Sequence, residues 1–295
     1  MEQSARFSFD TLCDIITNCP ILLAFVNGNI VFAMARTIVI TSGKGGVGKT
    51  TITANLGRCL ASLGERVAVI DADIGLNNLD VVLGIDTRIV FDLVDVIEGR
   101  CRIRQALIED VEQPGMFIMP SAHSYDRAMI NGQNVKEIVL RLAQSYDYVL
   151  VDCPAGIEAG FKRAVASCDE AVVVTTPHIS SVRDAETVMS LLKKSGINRI
   201  FTVVNRVRGD LVLSGEMLTR TDVERLTGVE VFGMIPDEDE MNLLSNSFNS
   251  GITEGYTACL ALARGIRSGT PEIYDLTKKY RGLFGKIRRS IKRKL

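Results

Sequence analysis

The segment Gly43-Lys44-Gly45-Gly46-Val47-Gly48-Lys49-Thr50-Thr51 constrains this chain more than any other. It follows an apolar run, Thr37–Thr41, and opens a stretch of helical character over 49–63. A G-x-x-x-x-G-K-[ST] pattern between a strand and a helix lets successive backbone N–H groups turn inward around an anion. The helix N-terminus adds its partial positive charge. Such a loop needs a strand behind it and a helix in front, so strand–helix units are the expected building blocks.

The remaining sequence supplies them. The runs Val67–Asp71, Tyr148–Asp152, Ala171–Thr175, Ile200–Asn205 and Val229–Ile235 are apolar almost throughout, as strands covered on both faces should be. Helices are expected over 49–63, 134–144, 159–167, 180–194, 215–226 and 256–266, with Gly64 and Gly196 at stops. This alternation predicts an α/β fold, a doubly wound and mostly parallel sheet of the P-loop NTPase type, with ligands at the carboxyl ends of its strands. One domain over 34–268 is expected, then a linker over 269–277. Residues 1–33 carry an apolar stretch from Cys19 to Ala33, but Glu2 and Asp10 precede it beside a single Arg6. That lacks the basic start of a secretory signal, and Met34-Ala35-Arg36 leads straight into the first strand, so 1–33 is expected to lie outside the fold.

Within the loop, Lys49 is placed to reach the β- and γ-phosphates of a nucleotide and the Thr50 hydroxyl to ligate Mg²⁺. Tyr148–Asp152 is an apolar strand ending in an acid, the form that holds Mg²⁺ through water at Asp152. Gly156 follows with a backbone N–H for the γ-phosphate. Asp71 and Asp73 close another strand on the same side.

Seven cysteines form no C-x-x-C pair and no zinc spacing, so buried free thiols and a reducing compartment are expected. Two histidines, His123 and His178, leave little for a His-based triad or metal centre. No apolar run reaches the ~18–20 residues of a membrane span.

The net charge of −1 hides an asymmetry: residues 278–295 hold nine Lys/Arg and no acid, leaving 25 bases against 35 acids elsewhere. As a helix, 278–295 gathers Tyr280, Leu283, Phe284, Ile287, Ile291 and Leu295 on an arc of about 120°, with most of the cations on the rest. A helix split this way is suited to lying in an anionic bilayer interface.

Lys44, directly after the first glycine, makes the loop resemble the deviant Walker A motif of the ParA/MinD family, which also includes the nitrogenase iron protein. The resemblance covers residues 34–295, and the run Gly75–Asp80, Asp152–Glu158 and Ser180–Asp184, together with the tail, resemble its MinD branch. It implies an ATPase that uses ATP and Mg²⁺ and forms a homodimer on ATP. Lys44 would cross the interface to the partner's phosphates, and Asp73 would position the attacking water beside the metal. Asn78 would approach the phosphates of the active dimer. Asn205, Arg206, Pro236 and Asp237 would read the adenine, and Thr51 would belong to the nucleotide loop. In that branch the tail binds anionic membrane lipid, and the helix carrying Arg183, Asp184 and Glu186 meets a division inhibitor (MinC-like) and a topological-specificity factor (MinE-like). The implied role is placement of a division septum, from a bacterial cytoplasm or a plastid stroma and the inner face of its membrane, with no nucleic acid among the partners. A ParA-like DNA-partitioning ATPase shares the loop but would need basic patches on a body that is acidic here. A MinD-like flagellar-number regulator shares the tail but would carry an N-terminal activation segment.

Overall fold

The computed structural model describes residues 23–26, 29–32, 35–74, 78–122, 132–237, 253–282 and 285. Two short strands, β1 (Leu23–Val26) and β2 (Asn29–Phe32), pair antiparallel as a hairpin that forms no ladder with the main sheet. The main sheet holds β3 (Arg36–Thr41), β4 (Val67–Asp71), β5 (Ile108–Glu109), β6 (Met116–Met119), β7 (Tyr148–Asp152), β8 (Glu170–Thr175), β9 (Arg199–Val207) and β10 (Val231–Pro236). Their order is β10-β9-β8-β3-β7-β4-β6-β5, parallel throughout except for β5.

Alternation along the strands feeds two cores. Ile38 and Ile40 of β3 face α1 (Lys49–Ser62) and a helix at Glu254–Ser268. Val39 faces the layer of helices at Gly132–Leu142, Ala159–Val165 and Ile179–Lys194. All three side chains are fully buried, which is why the strands read as unbroken apolar runs. Between α1 and those helices lie α2 (Asn78–Leu83), α3 (Leu93–Ile97) and α4 (Ile103–Ala106). Numbering continues with α5 (Gly132–Leu142), α6 (Ala159–Val165), α7 (Ile179–Lys194), α8 (Gly209–Ser214), α9 (Arg220–Thr227) and α10 (Glu254–Ser268).

The expected doubly wound sheet is observed, with differences at its margins. The helix expected over 215–226 begins only at Arg220, as α9, and a separate short helix, α8, precedes it. Gly215 ends α8 in the left-handed region at φ 76°, and Thr219 opens α9 through a reciprocal capping box with Asp222. The segment expected as a linker packs on the body: Leu276 is buried in a small core with Val207, Val231 and Met234. The tail helix expected from residue 278 does not begin there, where Lys278–Tyr280 form a 3-10 turn. Arg281 is extended at ψ 157°, so no helix runs through from 278, and the described residues that follow, Gly282 and Gly285, are helical. The expected membrane-facing Leu283, Phe284, Ile287, Ile291 and Leu295 lie outside the described residues, as does His123.

Candidate nucleotide site

The loop after β3 closes on the N-terminus of α1. Gly48 caps that helix at φ 92°, a conformation that excludes most side chains. A methyl group on it would also sit 2.4 Å from the Asn205 amide nitrogen. That nitrogen already donates to the Val47 carbonyl at 2.8 Å, so Asn205, expected to read adenine, holds the loop from behind. Gly43 is constrained from the other side: a methyl there would lie 2.4 Å from the Asp184 carbonyl oxygen, so α7 packs directly on the loop's first glycine. Ser42 donates to the Lys44 carbonyl at 2.9 Å. Lys49 is buried to 9% exposure and Val47 is also buried, whereas Lys44, Gly45 and Gly46 are exposed.

Behind the loop sit three acids. Asp152 accepts from the Thr50 hydroxyl at 2.8 Å on one oxygen and from Thr53 at 2.9 Å on the other. Thr50 and Thr53 share a face because they are three residues apart on α1. Asp71 lies directly across the ladder from Asp152, at the carboxyl end of β4. Its Oδ1 accepts from the Asp73 N–H at 2.9 Å, while its buried Oδ2 has no hydrogen-bond partner among the described residues. Burial raises the Asp71 carboxyl well above its usual range, and the charge of Asp152 raises it further. Asp152 is also raised by burial, against the opposing pull of Lys49 and of the two threonine hydroxyls. Asp73 is buried at the same edge.

The donor set fits a hard divalent cation. A threonine hydroxyl and three carboxylates converge where one lysine offsets only part of the negative charge. Among the described residues no three His, Cys, Asp or Glu side chains form a ready cage. Mg²⁺ does not require one, because it keeps waters and takes the remaining ligands from phosphate.

The other expected residues surround this edge. Gly156 follows β7 at φ 87°. Asn78 is exposed at the start of α2, and Thr51 is half-buried on α1, its carbonyl bound by Asn55. Arg206 is exposed with φ 59°, Pro236 is buried, and Asp237 is exposed, its N–H donating to the Val207 carbonyl at 3.1 Å. Arg183, Asp184 and Glu186 are all exposed on α7, whose opposite face buries Val182, Ala185, Val188 and Leu192.

Residues 38–249 match the CobQ/CobB/MinD/ParA nucleotide binding domain family. The chain is 43% identical over 267 residues to the putative septum site-determining protein MinD of Guillardia theta, covering 87% of this chain and 97% of that protein. It is 47% identical over 215 residues to MinD of Bacillus subtilis, covering 72% and 80%. The chain belongs to the MinD family of septum site-determining ATPases. A solved MinC:MinD cell division complex of Aquifex aeolicus superimposes with a TM-score of 0.73 at 40% identity, covering 79% of this chain and 96% of that one. MinD of Pyrococcus horikoshii, solved with Mg-ADP, gives 0.70 at 30% identity, covering 79% and 96%. A ParA family ATPase of Chlorobium tepidum gives 0.65 at 22% identity, a likeness of fold alone.

Against this MinD frame, two site residues were underread in the sequence. Thr53 binds Asp152 as directly as Thr50 does; its signal was the T-T-I-T run placing a second hydroxyl on the Thr50 face. Asp71 stands in the acid cluster and was given no firm role. Tyr280 corrects the reading of the tail: expected on the membrane arc, it is 3% exposed. It lines a crevice with Pro236, Asp237 and Leu276, and its neighbour Lys279 pairs with Glu254 of α10. The root of the tail is thus anchored on the body beside the end of β10. Among the described residues no helix is long and apolar enough to cross a membrane.

Five free cysteines are described, four of them buried, and burial pushes the Cys153 and Cys168 thiols up to about 12. The buried four are packing residues of low reactivity.

Proposed function

We propose that this MinD-family ATPase is an ATP-driven membrane switch. ATP binds at Gly43–Thr51 with Lys49 on its β- and γ-phosphates, and Thr50, Asp73 and Asp152 hold Mg²⁺. When bound, the cation neutralises charge on the phosphate oxygens. Two copies close over the phosphates on ATP, and Asp73 orients the attacking water. Paired tails from residue 283 onward then grip anionic lipid. One tail is marginal once the cost of ordering it is counted, but two on one dimer gain ~10²–10⁴ in avidity. Hydrolysis separates the pair and releases it.

The observation that supports this reading is the division between the two lysines of one loop. Lys49 is buried beside Asp152, in position for its own subunit's phosphates, whereas Lys44 is exposed. An exposed cation on the rim of a phosphate loop is available to a facing subunit, and there it stabilises charge as an arginine finger does. The exposed face of α7, with Arg183, Asp184 and Glu186, is the surface offered to a division inhibitor. MinC accompanies the Aquifex relative in its solved cell division complex. A hydrolysis-stimulating factor would act at the same rim.

Vesicle sedimentation tests the switch. Anionic vesicles should pellet the wild type with ATP and release it with ADP. Lys44→Ala should keep ATP binding and lose stimulated turnover. Equal pelleting in both nucleotides sinks the avidity switch, and normal turnover by Lys44→Ala sinks the trans-acting role.

A further inference from the structure

At the end of the sheet opposite the phosphate loop, the surface holds a hollow of about 440 Å³. Its floor is Phe117, Leu142 and Tyr146, with the Phe117 and Tyr146 rings edge to face at 5.5 Å. Its walls carry Arg66, Arg104 and Arg141, contributed by the approach to β4, by α4 and by α5. Arg66 lies over the Tyr146 ring at 5.3 Å. Among the described residues none of these three guanidinium groups makes an ion pair with a carboxylate, and all three are exposed.

The parallel register fixes the distance from the nucleotide. Arg66 and Tyr146 precede β4 and β7, whereas Asp71 and Asp152 end them. Five residues at ~3.3 Å each separate the two places by ~16 Å, so the hollow is no annex of the phosphate loop.

Three arginines that form no ion pair line one depression and repel each other, a charge that Glu109, acting on Tyr146 from nearby, offsets only in part, in a chain whose residues before 278 carry 25 bases against 35 acids. A bound anion removes that repulsion. Guanidinium forks match phosphate oxygens with two donors each, and the ring floor offers stacking and edge contacts to an apolar body. The volume is that of a small-molecule site. A peptide strand would also need backbone partners, and the lining is side chains from separate elements.

We propose that this hollow binds a phosphate ester carrying an aromatic or apolar body. The ester comes either from a soluble metabolite or from a lipid headgroup, the phosphate chemistry being common to both.

Phenyl phosphate is the probe, titrated by calorimetry into the full chain with ADP and Mg²⁺ in excess to fill the phosphate loop. Wild type should bind it saturably and more tightly than inorganic phosphate or phenol, because each of these offers half of the match. Arg104→Gln combined with Arg141→Gln should weaken binding at least about tenfold. Both side chains are exposed, so folding and ATP turnover should be unchanged; Arg141→Lys, keeping charge but not the fork, should fall between. No saturable binding by wild type, or equal binding by the double variant, overturns the proposal. Sedimentation with phosphatidylglycerol vesicles separates the sources. Loss of phenyl phosphate binding with unchanged vesicle binding assigns a soluble ester, and loss of both assigns a headgroup. Loss of vesicle binding alone overturns the site and leaves a diffuse surface charge.

Discussion

Asp71 and Asp152 face each other across neighbouring parallel strands, each 2% exposed or less and each with its carboxyl raised by burial. The threonines satisfy Asp152, but one oxygen of Asp71 has no described partner. Two carboxyls that each resist ionisation therefore share the functional edge of the sheet.

A raised carboxyl in the folded state binds its proton more tightly than in the unfolded chain. Its contribution to stability therefore declines as pH climbs from the unfolded value of ~3.9 through the folded one. Asp71→Asn removes that slope and keeps an oxygen for the Asp73 N–H. Without nucleotide, the variant should melt higher at neutral pH, by about 2–4 °C for each kcal/mol relieved, and should vary less with pH between acid and neutral. Calorimetric melts across that range check it; a parallel pH profile for both proteins contradicts it.

Thr53→Val removes one of the two hydroxyls on Asp152 without changing volume much. A buried carboxylate oxygen left without its donor costs about 1–3 kcal/mol, and the Asp152 carboxyl should rise further. Urea denaturation should show the loss, and Thr53→Ser should restore most of it.

Gly48→Ala meets both a left-handed backbone and the Asn205 amide 2.4 Å away. The loop must shift or Asn205 must release Val47, so nucleotide affinity should fall at least about tenfold while the fold survives. Fluorescent nucleotide titration measures this directly, and near-normal affinity would show that the loop has slack.

The central strands and the phosphate loop were legible because burial on both faces and a fixed loop chemistry write themselves into adjacent residues. The sheet's far edge was not. β5 has two residues, β6 reads Met-Phe-Ile-Met, and both are secured by a contact made across 52 positions, from Arg58 of α1 to Asp110. Local pattern cannot announce such a pair. The true start of α9 is announced, by Gly215 ending α8 and by Thr219 with Asp222, five residues after the expected one. At the root of the tail one residue of the apolar arc departs from it, because Arg281 is extended and Tyr280 finds a closer apolar home on the body.

That edge contact makes its own prediction. Arg58 is 1% exposed and grips Asp110 through two nitrogens at 2.6 and 3.1 Å, with Glu112 at 2.9 Å. Arg58→Met fills the space but strands a buried acid, and should cost about 3–5 kcal/mol. Adding Asp110→Leu should recover much of it in a double-mutant cycle by chemical denaturation, whereas simple additivity would show the pair to be uncoupled.

Tyr280→Ala separates a packing residue from a lipid anchor. Truncating a buried aromatic should cost about 3 kcal/mol and lower the melting temperature by several degrees. Lowered vesicle binding at an unchanged melting temperature would return Tyr280 to the membrane arc.

The contact between Gly43 and the Asp184 backbone has a consequence for communication. The loop's first glycine and the α7 backbone leave no room for a side chain between them, so the two elements are in direct contact. On the proposed ATP switch, a rearrangement of the loop around a third phosphate would press directly on α7. If α7 is the partner surface proposed above, the exposed Arg183, Asp184 and Glu186 would be a gauge on the outside of the molecule, on which a docked protein could read the nucleotide without touching it.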